Sequence, residues 1–203
     1  MFAADSRFIM CTHEATHTTM TPSPPARALS FDDTVARIIH GDFSWTEPLF
    51  AASEPRHAQI VQWVVEGRFS DRPDALNESL TAACFLGCTG VAELLLDHGA
   101  DLSAGNGTGM NGFHWAANRG QIDTVRLLIA RRLPLELRNA YGGTVLGATV
   151  WAAVHEARAG HPTIIEALLQ AGADVSGAEY PTGDPQVDAI LASHGAGPRD
   201  SVR

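Results

Sequence analysis

A displacement of 33 residues lays the middle of this chain onto itself. Leu80 falls on Phe113 and Phe113 on Leu146, Gly87 falls on Gly120, and Leu94-Leu95-Leu96 falls on Leu127-Leu128-Ile129. A fixed period of this length belongs to stacked supersecondary units, none of which buries its apolar face without a neighbour. Each unit reads as a helix, a Gly-marked turn and a second helix. The clearest copy is Gly109-Met110-Asn111-Gly112-Phe113-His114-Trp115-Ala116-Ala117-Asn118-Arg119-Gly120, followed by the helical run TVRLLIARRL at 124–133.

The stretch from Gly109 to Gly120 resembles the ankyrin consensus, in which a Gly and then Thr-Pro-Leu-His open the first helix. VAELLLDHGADLSA (91–104) is similar to that family's second helix with its Gly-Ala-Asp ending, and IIEALLQAGADVSG (164–177) repeats it. The resemblance runs from about residue 31 to 196. It implies an all-α solenoid of helix-turn-helix units with short β-hairpin tips. The domain is expected over 29–196, with a cap helix at 31–41, repeats at about 46–70, 76–103, 109–136 and 142–176, and a second cap helix at 184–195. Such arrays mostly serve as binding scaffolds, and the fold does not name the partner.

At 203 residues, 45% hydrophobic and 18% charged, the chain is long enough for one domain with a real core. Its net charge is −9, and all 14 basic residues are Arg. That balance argues against a nucleic-acid partner, which calls for a basic face, and favours a neutral or basic one. The Lys-free, Ala-rich bias points to a GC-rich bacterial genome. No stretch has the length of a membrane span, and MFAADSRFIMCTHEAT lacks a basic-then-apolar leader pattern; a cytoplasmic location is expected. Residues 1–28 have no apolar period and are expected to form a mobile tail, as are 197–203. His13 and His17 lie in the first of these. Three cysteines, Cys11, Cys84 and Cys88, are too few for a disulfide framework. Cys84 shares a column with Ala117, so it reads as a small packing residue, not as half of a metal pair.

The N-terminal cap has Ser30 as N-cap with Asp33 three residues on, Val35, Ile38 and Ile39 on one face, and Gly41 as the stop. The unit from 46 to 70 has Glu47-Pro48-Leu49-Phe50 where the family has Thr-Pro-Leu-His, with Pro55 closing its first helix. The next is expected to have its first helix at Leu80–Leu86, after a loose polar loop from Arg68 through Pro73. In the third unit, Arg132-Leu133-Pro134 replaces Gly-Ala-Asp, and Pro134 is expected to enforce the stop. The fourth departs most. From Phe113 to Gly120 is seven residues, from Leu146 to Gly160 fourteen. Seven added residues are about two helical turns, so a lengthened helix over 146–159 is expected. Trp151 and His155, four apart, share a face of it.

No phosphate loop, nucleophile elbow, His-Glu-x-x-His or Cys-x-x-Cys is present. Gly105-Asn106-Gly107-Thr108-Gly109 reads as a turn. The resemblance gives His114 a scaffold role, in which its ring ties successive tips together. Phe85 and Leu86 share columns with Asn118 and Arg119, which in the family face the concave side. Apolar residues there are either covered by a neighbour or open to a partner. Two functions follow. One is a protein-binding module without cofactor or metal, monomeric because both ends are capped, with a concave surface of Phe85, Met110, Trp115, Asn118, Arg119, Tyr141, Trp151 and His155. The other is a small-molecule site, that of a binding protein or of a cofactor-independent enzyme of the cyclase or isomerase type, beside the lengthened helix. There His155, His114 or Glu156 would be the acid or base and Trp151 an apolar wall.

Overall fold

A computed structural model describes residues 30–43, 45–104 and 109–197. The expected tails, His13, His17, Cys11 and the turn at 105–108 lie outside the described residues, apart from Gly197. Ten α-helices follow in order: α1 (Phe31–Ile39), α2 (Glu47–Phe50), α3 (Gln59–Val65), α4 (Pro73–Leu86), α5 (Thr89–Asp97), α6 (Gly112–Asn118), α7 (Ile122–Ala130), α8 (Val145–His155), α9 (His161–Gln170) and α10 (Pro185–Ser193). Among the described residues β-structure is limited to one bridge, Arg138 with Thr144, so the tips are turns with almost no strand.

The helices form two rows. In the first, α1 packs on α4, α4 on α6 and α6 on α8; in the second, α3, α5, α7, α9 and α10 stack in that order. Each first helix also packs on the second helix of its own unit, α4 on α5, α6 on α7 and α8 on α9. The core between the rows is built from recurring columns. Leu80, Phe113 and Leu146 are buried in the first row, and Leu95 and Leu128 in the second. Cys84 is fully buried, as its column predicts, and its sulfur lies 3.0 Å from where a Cβ on Gly112 would sit. Burial raises its thiol pKa and makes it unreactive.

Local chemistry sets the ends. The Ser30 hydroxyl accepts the Asp33 amide at 3.1 Å, the expected cap. Ile39, however, is 40% exposed beside buried Val35 and Ile38, because α1 meets its neighbours over a narrower stripe than its apolar residues cover. The first helix of the 46–70 unit is a single turn, and Pro55 opens a 3-10 turn at Pro55–His57 instead of closing a helix. The loop expected before Leu80 is mostly helix. Pro73, at the first helical position, starts α4 seven residues early, and Arg72 just before it pairs with Asp32 of α1 at 3.4 Å.

Two further expectations are corrected. Pro134 does not stop α7. Arg132 does, in the left-handed conformation (φ 56°) that Gly99 and Gly172 adopt in the same column. The lengthened helix also ends at His155, not at 159. At 11 residues α8 exceeds the 7 of α6 by about one turn. The chain must then come back, because Gly160 packs on Gly120: a Cβ on Gly160 would lie 2.6 Å from the Gly120 carbonyl oxygen. That return lets α9 stack on α7 as α7 stacks on α5.

Candidate functional site

The first row carries a ladder of aromatic side chains. Phe43 meets Phe85 at 5.4 Å between ring centroids, and Phe85 meets Trp115 edge-on at 5.1 Å and 77°. The Arg119 guanidinium lies 4.8 Å from the Phe85 centroid. Phe85 is therefore covered by neighbours, and Phe85, Trp115 and Arg119 are all half-buried. Burial and then the nearby Arg158 charge lower the Arg119 pKa, with Glu156 acting the other way. Asn118 is half-buried, and its carbonyl accepts the His161 Nε2–H at 2.8 Å. Met110 is half-buried at its tip, whereas Tyr141 at the next tip is 83% exposed.

The ladder ends differently from how it begins. Phe85, Asn118 and Trp151 share one column. Phe85 is roofed by Trp115 from the following unit, but among the described residues no first helix follows α8. A 3-10 turn at Val175–Gly177 touches α8, an irregular segment runs to Asp184, and α10 then packs on α9. The C-terminal cap thus covers the second row and leaves the first row partly open. Trp151 remains 52% exposed and Val154 36%. The Trp151 indole stacks on His155 at 4.6 Å and 14°, and His155 Nδ1–H donates to the Trp151 carbonyl at 2.8 Å. Gly147, Val150, Trp151, Val154 and His155 line one side of a cleft of about 230 Å³, facing Gly177, Glu179 and Thr182.

The acid–base candidates are not brought together. His114 is fully buried, with Nε2 3.2 Å from the Gly143 carbonyl and Nδ1 2.9 Å from Asn111 Oδ1, the tip-to-tip tie the resemblance implies. Burial lowers its pKa, opposed by the Gly143 bond. Asn111 Oδ1 already accepts the amides of Phe113 and His114. Glu156 lies outside the cleft lining and pairs with Arg158 at 3.8 Å. Only His155 of the three lines the cleft, and the cleft is smaller than the ~300–1,000 Å³ usual for ligand pockets.

A second set of ties between units is not among the sequence expectations. Gln121 and His161 each follow the closing Gly of a unit, and each reaches back to the preceding first helix. Gln121 Nε2 donates to the Phe85 carbonyl at 3.4 Å, and His161 Nε2–H to the Asn118 carbonyl. Nδ1 of His161 accepts the Arg158 amide at 3.2 Å, which fixes a neutral ring. The shared position after Gly120 and Gly160 was a signal in the sequence.

Paired helices stacked in two rows, tied across units at repeating columns, define a helical-repeat scaffold that presents a surface along its first row. Residues 80–129 match the family model described as ankyrin repeats (many copies). This part of the chain is thereby assigned to the ankyrin repeats, which are generally protein–protein interaction modules. Among the described residues no helix is long and apolar enough to cross a membrane, and no group of three or more His, Cys, Asp and Glu is placed to hold a metal ion.

Proposed function

We propose that this chain is a protein-binding module that docks its partner along the first-helix row, on the concave side of the stack. The half-buried strip of Trp115, Asn118 and Arg119 leads to the exposed end at Tyr141, Trp151 and His155. The observation that carries this reading is the uncovered rung at Trp151. The same column is roofed by an aromatic neighbour at Phe85, while at Trp151 a large apolar side chain meets water. Partly exposed aromatics at the end of an otherwise covered ladder are the residues from which interfaces draw most of their energy.

The test is affinity capture from host lysate with wild type, Tyr141→Ala/Trp151→Ala and Trp45→Ala. Trp45 is 67% exposed near the other end of the stack. A partner retained by wild type and Trp45→Ala but lost by the double variant is the expected result. Equal retention by all three would remove the surface from consideration.

A further inference from the structure

We propose that the terminal cleft takes a basic amphipathic helix from the partner, seated on α8 where the first helix of a following unit would stack. The inference rests on the binding reading above and adds the chemistry of the partner. Three observations lead to it.

The first is continuity of packing. Within the first row each helix uses one face to receive the next, as α4 receives α6 and α6 receives α8. The corresponding face of α8 carries Val150, Trp151 and Val154, and the second row continues past it through α10. Half a unit is therefore in place, and the cleft lies in the other half.

The second is the composition of the floor. VLGATVWAAVH, the whole of α8, has no Asp, Glu, Lys or Arg. A cleft of about 230 Å³ has room for one or two large apolar side chains, as a helix offers at i and i+4.

The third is charge. The segment from 174 to 188 contains Asp174, Glu179, Asp184 and Asp188 and no Arg. Glu179 lines the cleft and forms no ion pair among the described residues. The Thr182 amide and hydroxyl hold the Asp188 carboxyl below the usual range, so it stays ionised. An apolar floor with the Glu179 carboxylate in its lining, and Asp188 bonded to Thr182 beside it, fits an apolar helix face flanked by Lys or Arg. A second copy of this chain fits less well, since its net charge of −9 opposes self-association.

The test uses a fluorescently labelled Leu/Lys amphipathic helix of about four turns and a Leu/Glu counterpart with the same apolar face. Binding to the full chain is read by anisotropy. The Leu/Lys helix is expected to bind and the Leu/Glu helix not. Trp151→Ala should weaken binding at least about tenfold, and Glu179→Lys should weaken it while reducing its salt dependence. Circular dichroism of each variant establishes that the fold is retained. Leu/Lys binding that survives Trp151→Ala is general adsorption to an acidic protein and overturns the proposal. Equal binding of both peptides, or self-association that Trp151→Ala abolishes, also overturns it. If the Leu/Lys helix does not bind but lysate capture still depends on Trp151, the helix proposal falls and the binding module stands. If neither occurs, both fall.

Discussion

Replacing Arg132 by Gly is expected to stabilise this protein. Arg132 is the single non-glycine residue with positive φ among the described residues, at 56°. An L-residue held there costs roughly 1–2 kcal/mol, from the clash of Cβ with the backbone. Glycine removes that clash but makes the unfolded chain more flexible, which takes back roughly 0.5–1 kcal/mol. The net gain is about 0.5–1 kcal/mol, or about 1–4 °C in Tm for a chain of this size. Arg132 is exposed, and no hydrogen bond or ion pair of its side chain opposes the change. The same column supplies the reverse experiment. Gly99 has φ 89°, and a Cβ added there meets nothing within 4 Å. Gly99→Ala should therefore lose about 1 kcal/mol through backbone conformation alone. Thermal and urea unfolding followed by circular dichroism measure both. The reasoning is refuted if Arg132→Gly leaves Tm unchanged or lowers it while Gly99→Ala destabilises, because the two positions would then not share a conformation.

Other consequences follow from the ties between units. Burial lowers the pKa of both His161 and His114, so the unfolded chain binds more protons in acid. The stability they hold is full above the unfolded value of about 6.5 and is lost as pH falls through the lowered folded values. The urea midpoint should drop across that window, and His161→Gln should flatten the drop. Neutral His114 donates from one ring nitrogen and faces an acceptor with the other, so Asn111→Thr, which keeps the N-cap and supplies a hydroxyl proton, should raise stability by about 1 kcal/mol in the same assay. Gly160→Ala drives a methyl against the Gly120 carbonyl and should cost about 1–3 kcal/mol, seen as a lower thermal midpoint. Trp151→Ala, at a half-exposed position, should lower stability by less than about 1 kcal/mol while removing partner binding.

What was legible in the sequence was what repeats. The buried columns at Leu80, Phe113 and Leu146 and the small residue at Cys84 follow from alignment at a fixed period, and the tie at His114 from the resemblance to the ankyrin consensus. What was missed is where local geometry departs from the period. Pro73 carries the helix-start signal for α4, but the period places the helix at Leu80 and makes the preceding residues a loop. In the fourth unit the length of the insertion suits a longer helix, although the contact of Gly160 with Gly120 turns the chain back after His155. At Arg132 the missing Gly points to Pro134 as the stop, whereas Arg132 itself takes the left-handed conformation. At the C-terminus the last helix, α10, packs on α9 in the second row. The consequence, that a cap of one row leaves the end of the other uncovered, depends on packing and is not visible in any residue.

The central claim is that the Trp151 end of the first row is where a partner docks. A photo-crosslinking benzophenone amino acid placed at position 151 tests it directly, with the same group at Trp45 and Val65 as exposed controls near the other end. The account predicts that position 151 crosslinks a discrete partner in host cells and the controls do not. Crosslinks formed at 45 or 65 but not at 151 would contradict it.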